Sequence, residues 1–334
     1  MTLRAASSEA PAPVGFAAAI VAACLFAWLA PLSRWAYDLG MEPLPFVAWR
    51  AGIGVLALVA FIAVAGRRGR ALVSPRSLSR REASSLGLAA VMGLALNLSI
   101  FGAFDRVSVA LALIGFYTYP TMVATVAIVL RREEPSPAVL AALALASLGM
   151  VLVVAGSLGS PDGRAVDPVG ILLALAAAAS QTVFVTVSRD GYARVPAEQA
   201  IVVVLATSLA GSLVIGFVAG MATPLGAPIR QPDLLPIVIA AGVAGAAVPS
   251  LLFLSAIRLI GGTRSGILML LEPVVGVGLA AWLLGEGLAA PQVAGGMAVL
   301  GAAYLLQRAH RRAGSAADAP VAAHEAVPGP PRRR

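Results

Sequence analysis

The stretch LLEPVVGVGLAAWLLGE, Leu270–Glu286, decides the class of fold. Glu272 stands beside Pro273 within a run, Ser265–Gly285, that holds no other charged residue. A helix needs about 20 predominantly apolar residues to cross a hydrocarbon core of about 30 Å. The run therefore predicts a transmembrane helix that carries one carboxylate and one helix-breaking proline near its middle.

The composition extends this prediction to the whole chain. Of the 334 residues, 59% are hydrophobic and 12% are charged, whereas about 25% are charged in soluble domains. We therefore predict an all-α polytopic membrane protein with ten transmembrane helices, since only helices and closed barrels satisfy their backbone within lipid. The predicted spans are 15–36, 45–66, 84–104, 108–130, 137–156, 168–188, 197–219, 235–257, 264–285 and 289–307.

Arginine sets the predicted orientation, because the chain has no lysine. The connections at one end of the predicted bundle hold most arginines, and we call this the arginine-rich end. They are Arg67, Arg68, Arg70, Arg76, Arg80, Arg81, Arg131, Arg132, Arg189, Arg194, Arg258, Arg264, Arg308, Arg311 and Arg312. The arginine-poor end holds Arg34, Arg106, Arg164 and Arg230. The positive-inside rule then places both termini in the cytoplasm, and we expect a bacterial-type inner (plasma) membrane.

Several function classes are excluded by what the sequence contains. The formal net charge of +8 is divided among short loops without a nucleic-acid-binding motif, so no nucleic-acid partner is expected. Cys24 is the single cysteine, and the two histidines, His310 and His324, lie at or beyond the end of the last predicted helix. Zinc-protease and phosphate-loop motifs are missing from the sequence. We therefore expect neither an enzyme nor a cofactor or metal site.

An internal duplication divides the chain. Pro120 and Pro273 are separated by 153 residues, and so are Glu133 and Glu286. Each half would contain five helices, and an odd number makes the second copy enter the membrane from the opposite side. The predicted organisation is a disordered tail at 1–13, a first repeat at 14–156, a second repeat at 157–308 and a disordered cytoplasmic tail at 309–334.

The block 255–306 resembles the closing half of an EamA domain, from the drug/metabolite transporter superfamily. The residues that carry this resemblance are Glu272-Pro273, Gly285-Glu286, and Gln292 with Gly295. The first half is similar more loosely, through Tyr119-Pro120, Arg132-Glu133 and the segment FAWLAPLSRWA at 26–36. The resemblance covers about residues 15–307.

This resemblance implies a secondary transporter with two inverted EamA repeats, many bacterial relatives being exporters of small metabolites. We expect an exporter of an amino acid or a related amphipathic solute that works by alternating access and couples to protons through Glu272. Two alternatives stay open, which are a gradient-driven exchanger without proton coupling and a non-transporting membrane scaffold or sensor. The expected partners are the substrate, protons and lipid, and the oligomeric state is open.

Depth along the helices selects two charged candidates. At about 1.5 Å per residue, Glu272 lies about 10–16 Å from the cytoplasmic edge and Arg50 about 6–8 Å from the outer edge. A charge at the centre of a membrane helix costs at least about 2.5–3.5 kcal/mol, so Glu272 should face a cavity, find a partner or be protonated. Arg50 could bind a substrate carboxylate. The alternatives are that Glu272 joins two helices, and that Arg50 reaches the surface or pairs with Asp38 or Glu42.

Polar and aromatic residues at similar depth complete the predicted site. Each could instead make an interhelical hydrogen bond worth about 0.6 kcal/mol, and we expect about half of them to line one cavity. The predicted substrate-binding residues are Trp28, Arg50, Asn97, Tyr117, Tyr119, Gln181, Ser250 and Glu272. The predicted hinges are Pro31, Pro120, Pro249 and Pro273, since broken helices provide bending points.

Overall fold

The computed structural model describes residues 12–66, 72–107, 109–130, 136–155, 167–284 and 289–317, and within these ranges it is helical without a strand. The α-helices are α1 (Ala12–Ala27), α2 (Leu29–Asp38), α3 (Pro43–Gly66), α4 (Arg80–Arg106), α5 (Val109–Phe116), α6 (Tyr119–Val129), α7 (Pro137–Ala155), α8 (Pro168–Asp190), α9 (Ala197–Val218), α10 (Ala222–Leu225), α11 (Ala227–Arg230), α12 (Leu234–Gly242), α13 (Val248–Ile260), α14 (Gly262–Met269), α15 (Leu271–Leu284) and α16 (Ala290–Ala317). A 3₁₀ turn at Pro75–Ser77 and a π-helical turn at Val243–Ala247 complete the described helices.

Eight candidate membrane spans are present within the described residues. They are formed by α1–α2, α3, α4, α5–α6, α7, α8, α9 and α12–α13. The two remaining predicted spans coincide with α14–α15 and with α16, so the count of ten stays a prediction. Helix α1 begins at Ala12, within the predicted tail 1–13, and α16 continues to Ala317, past the predicted repeat boundary at 308. Residues 1–11 and 318–334 of the predicted tails lie outside the described residues.

The helix bounds repeat along the chain. Shifting α3 by 153 residues gives 196–219, and α9 spans Ala197–Val218. The same shift moves the start of α7 onto Ala290, where α16 begins. It also moves the interruption between α5 and α6 onto the interruption between α14 and α15. The two halves therefore follow one helical pattern, as the spacing of the prolines predicts.

Packing follows the same pattern. Helix α4 packs against α8, and its counterpart is the contact of α1 with α13. Helices α5 and α6 pack against α8, and their counterpart is the contact of α14 and α15 with α1. The pairs α3 with α9 and α7 with α16 join equivalent helices of the two halves. This is the contact pattern expected when a pseudo-two-fold axis relates two repeats.

Each predicted hinge proline lies next to a helix irregularity. Proline lacks the amide donor and its ring clashes with the carbonyl four residues earlier, so the turn before it is weakened. The preceding irregularities are the α1–α2 break at Trp28 for Pro31, the α5–α6 break for Pro120, the π-helical turn for Pro249 and the α14–α15 break at Leu270 for Pro273. These positions fit hinges, and their movement stays a prediction.

Glycine brings α7 and α16 into backbone contact. A Cβ atom at Gly149 would lie 2.6 Å from the carbonyl oxygen of Gly295. A Cβ atom at Gly295 would meet the carbonyl oxygen of Gly149 and would lie 2.7 Å from the amide nitrogen of Val153. Small residues allow membrane helices to approach this closely, and here the neighbouring atoms belong to backbone that cannot rotate away.

We predict that Gly295→Ala lowers the free energy of unfolding by about 1–3 kcal/mol, because the added methyl overpacks this contact. Gly276→Ala is the matched control, since a Cβ atom there meets no atom within 4 Å. Thermal melting of both variants in one detergent measures the difference. Equal melting temperatures for the two variants would contradict the backbone contact.

Candidate functional site

Glu272 is the second residue of α15, directly after the helix break, and it is half-buried. The hydroxyl of Tyr117 donates a hydrogen bond to its carboxylate. Tyr119 lies close enough to interact electrostatically with the same carboxylate. Both tyrosines are buried, with 2% and 1% of their surfaces exposed. The structure thus brings three predicted site residues together across the breaks of α5–α6 and α14–α15.

Phe116 and Gly266 pack around the cluster of Tyr117, Tyr119 and Glu272. The sequence patterns did not select either residue. The ring of Phe116 lies 5.3 Å from the ring centroids of both Tyr117 and Tyr119. A Cβ atom at Gly266 would lie 3.4–3.5 Å from atoms of Pro120 and Tyr119, so the glycine permits a close approach of α14 to α6. The aromatic packing leaves the Tyr117 hydroxyl aligned with Glu272.

Arg50 forms a second polar group, on α3. Its guanidinium is buried, and its Nη2 donates a hydrogen bond of 2.5 Å to Oδ1 of Asn97 on α4. The Nδ2 of Asn97 donates to the carbonyl of Gly93, 2.7 Å away. The structure therefore joins two more predicted site residues. The alternative pairing with Asp38 is not observed, because Asp38 pairs with Arg34 at 3.5 Å.

Tyr37 belongs beside Arg50, although sequence reasoning missed it. The two side chains interact electrostatically, and the ring of Tyr37 packs edge-on against Phe46 with centroids 5.8 Å apart. The Tyr37 hydroxyl and the Nε of Arg50 are both buried without a hydrogen-bond partner among the described residues. Tyr37 stands near the predicted end of its helix, where tyrosine is expected at an interface, so depth alone gave no signal for it.

The other candidates are related to these by the repeat. Trp28 is half-buried at the α1–α2 break, Gln181 is buried on α8 and Ser250 is half-buried on α13. Most candidates form pairs separated by 153 residues, which are Trp28 with Gln181, Asn97 with Ser250, and Tyr119 with Glu272. The candidates thus occupy equivalent places in the two halves. Their joint lining of one cavity stays a prediction.

Two cavities are described, one toward each end of the bundle, and neither is lined by a candidate residue. The larger, of about 350 Å³, lies at the arginine-poor end and is lined by Gly40, Glu42, Pro224, Ala227, Arg230 and Gln231. The smaller, of about 20 Å³, lies at the arginine-rich end and is lined by Val123, Ala127, Val185, Thr186, Arg189, Gly262 and Thr263.

Polar contacts join the two halves at the arginine-rich end. Arg194 pairs with Glu82 at 2.8 Å and donates to the carbonyl of Ser77 at 2.9 Å. Gln199 and Val73 exchange two hydrogen bonds, of 2.6 and 3.1 Å. In each pair one residue belongs to the α3–α4 region and the other to the segment that enters α9. These contacts hold the α3–α4 connection and the start of α9 together at the arginine-rich end.

Arg258 fixes the α8–α9 connection at the same end. Its Nη1 donates to the carbonyl of Val195 at 2.8 Å, and its guanidinium stacks over the ring of Tyr192 at 5.3 Å. The Tyr192 hydroxyl shares a hydrogen bond of 2.5 Å with Ser188, and burial raises the pKa of Tyr192 above its usual value. The phenol therefore stays protonated at neutral pH.

A smaller contact joins the halves at the arginine-poor end. The indole Nε1 of Trp49, on α3, donates a hydrogen bond of 2.8 Å to the carbonyl of Leu225, at the end of α10. Around it packs an apolar cluster that includes Met41, Phe46 and Leu234. At the arginine-poor end the described contacts between the halves are thus chiefly apolar, whereas at the opposite end they include an ion pair and hydrogen bonds.

A bundle of long apolar helices in two repeating halves indicates a multi-pass membrane protein. The profile of the EamA-like transporter family matches residues 13–155 and 168–308. The chain therefore belongs to the EamA-like transporter family, which confirms the resemblance carried by the Glu272-Pro273 block.

Solved structures support the fold. A chain described only as "Crystal structure of protein" matches with a TM-score of 0.66 at 19% identity, over 90% of this chain and 97% of that chain. At this identity the likeness concerns the fold alone. A search of curated proteins found no match. The helix-end glutamates Glu133 and Glu286, part of the sequence resemblance, lie outside the described residues.

We predict that the Tyr117–Glu272 hydrogen bond couples the two broken helices by about 0.6–1.7 kcal/mol, the range measured for such bonds in membranes. Tyr117→Phe, Glu272→Leu and the double variant form the thermodynamic cycle, and unfolding in mixed micelles provides the free energies. Tyr304→Phe, at an exposed tyrosine of α16, is the control and should show no coupling with Glu272→Leu. Additive effects of Tyr117→Phe and Glu272→Leu would contradict the bond.

Proposed function

We propose that the protein is a secondary transporter that exports a small metabolite, an amino acid or a related amphipathic solute, by alternating access. The observation that carries this proposal is the meeting of Glu272, Tyr117 and Tyr119 where two equivalent helices are both broken. Polar groups at broken helices between repeats are the usual place for a transported solute.

The repeats are inverted in this proposal. Five spans in each half make the second half enter from the opposite side of the membrane, so the halves can exchange conformations and present one site to either face. Following the positive-inside rule, the arginine-rich end faces the cytoplasm of a bacterial-type cell, with both termini on that side of the inner membrane. The predicted substrate-binding residues surround the site, and the four predicted hinge prolines supply its bending points.

Glu272 carries the proton in this proposal. A carboxylate at about mid-depth is costly when charged and unpaired, so its protonation state depends on partners that move. In the described conformation Tyr117 donates a hydrogen bond to this carboxylate, and the loss of such a bond favours the protonated form of a carboxyl group. When the broken helices separate and this bond is lost, the carboxylate takes up a proton. A pH gradient can thus bias the exchange of conformations.

One alternative is supported by the same hydrogen bond. If Tyr117 and Glu272 remain bonded through the cycle, the pair only holds α5–α6 to α14–α15, and the protein is a gradient-driven exchanger without proton coupling. Counterflow in proteoliposomes against a panel of amino acids and related metabolites, with and without a pH gradient, separates the two functions. Absence of counterflow for every solute would favour the membrane scaffold or sensor.

We predict that Glu272→Gln abolishes the stimulation of transport by a pH gradient, because an amide cannot exchange a proton, while counterflow without a gradient persists. Asp233→Asn is the matched control, since Asp233 is exposed directly before α12 and lines neither described cavity. Initial rates of counterflow measure both. Full proton stimulation in Glu272→Gln would exclude Glu272 as the carrier.

We predict that Arg194→Gln favours opening of the arginine-rich end, because it removes the ion pair to Glu82 and the bond to Ser77. A Thr263→Cys reporter, in a Cys24→Ser background, is buried at this end and should react several-fold faster with a maleimide. Arg76→Gln, at an exposed arginine of the α3–α4 connection, is the control. Unchanged labelling in Arg194→Gln, with an unchanged melting temperature, would contradict a closing role for these contacts.

A further inference from the structure

We propose that Arg50 and Tyr37 bind the carboxylate group of the substrate, and that Asn97 positions Arg50 for it. This inference rests on the proposed transport function and deepens it, because it names the chemical group that the substrate must carry. It also adds Tyr37, which neither the sequence patterns nor the family match selects.

The buried guanidinium of Arg50 has no anionic partner among the described residues. It is 8% exposed, and the partner described for it is the neutral amide of Asn97. The titratable group that faces it is Tyr37, and within the described residues no carboxylate pairs with it. A buried charge without an opposite charge is strongly destabilising unless hydrogen bonds or a ligand compensate it.

Two buried donors at this place have no acceptor. The Nε of Arg50 and the hydroxyl of Tyr37 make no hydrogen bond within the described part of the chain, although more than about 90% of buried polar groups in proteins are paired. A carboxylate accepts several hydrogen bonds and donates none when ionised, so it would satisfy both atoms together. One guanidinium and one phenol suit a single negative charge better than a phosphate dianion.

Asn97 makes the arrangement rigid. Its Nδ2 is held by the carbonyl of Gly93, and this fixes its Oδ1 toward Nη2 of Arg50. One nitrogen of the guanidinium is therefore anchored to α4, and the Nε hydrogen beside it is left for a ligand. A pre-positioned arginine loses less entropy when it binds a carboxylate.

The repeat indicates that this charge is not needed for folding. The position equivalent to Arg50 in the second half, 153 residues later, is Val203, which packs partly buried against the main core. The same helix pattern forms with valine at that position. We therefore infer that the fold does not require a guanidinium at position 50. At this pair of equivalent positions, the cation is thus supplied by the first half.

An entrance lies nearby. Gly40 lines the cavity of about 350 Å³ at the arginine-poor end and is one helical turn beyond Tyr37 along the chain. Trp49, which adjoins Arg50, is bonded to Leu225, next to the segment that lines the same cavity. Opening of that contact would connect the carboxylate site with the arginine-poor end.

The first experiment supplies the missing charge within the chain and needs no knowledge of the substrate. Asn97→Asp and Asn97→Leu both lose the hydrogen bond to Gly93. Only Asn97→Asp places a carboxylate against Arg50. We expect Asn97→Asp to melt several degrees above Asn97→Leu, and this order to reverse in an Arg50→Gln background. At Ser250, the position equivalent to Asn97, the residue that matches Arg50 is Val203, so Ser250→Asp should melt below Ser250→Leu. Asn97→Asp melting at or below Asn97→Leu would overturn the proposal.

The second experiment uses the solute found by counterflow and its carboxamide. We expect the carboxamide to compete at least about tenfold more weakly than the carboxylate, since each tenfold loss corresponds to about 1.4 kcal/mol. Arg50→Gln should abolish this preference, Tyr37→Phe should reduce it, and Arg34→Gln should retain it. Equal competition by both compounds, or a preference that persists in Arg50→Gln, would overturn the carboxylate site while transport itself stands. Absence of counterflow would instead overturn the transport function. In that case, the comparison of melting temperatures between Asn97→Asp and Asn97→Leu still tests whether Arg50 binds an anionic group.

Discussion

The structure depends on the need to satisfy every backbone polar group away from water. Within hydrocarbon, helices meet this need along their length, and an interruption is tolerated where neighbouring helices cover it. The interruptions before Pro120 and Pro273 are covered by each other, since α14 lies against α6 where Gly266 allows close approach. The helix breaks are therefore inside the bundle, and the side chains beside them are Tyr117, Tyr119 and Glu272.

The charged residues are distributed unequally between the two halves. The fold repeats, but its two deep charged residues do not, because Glu272 is matched by Tyr119 and Arg50 by Val203. One half contributes the guanidinium of Arg50, and the other half contributes the carboxyl group of Glu272. In the proposed transport function, a solute between the halves would therefore meet a different polar group at each of its two ends.

Much of the fold could be predicted from the sequence because hydrophobic length and proline spacing are local signals. The apolar runs anticipated the positions of the helices, and the pair Pro120 and Pro273 anticipated both the repeat and the helix breaks. The partners of the charges were harder to predict. Depth along a helix places Arg50 and Glu272, but it does not say which helix faces them. Asn97, Tyr117 and Tyr37 became their neighbours through packing between segments that are far apart in the chain.

The contact of Gly149 with Gly295 has a mechanical consequence. The backbones of α7 and α16 touch there, so the two helices have no clearance in which to slide, and a shift by even one residue would drive side chains into the opposite backbone. The contact is also the place where the last helix of each half meets its equivalent. If the halves rotate against one another, α7 and α16 are suited to remain fixed, and the interrupted helices are the ones that move.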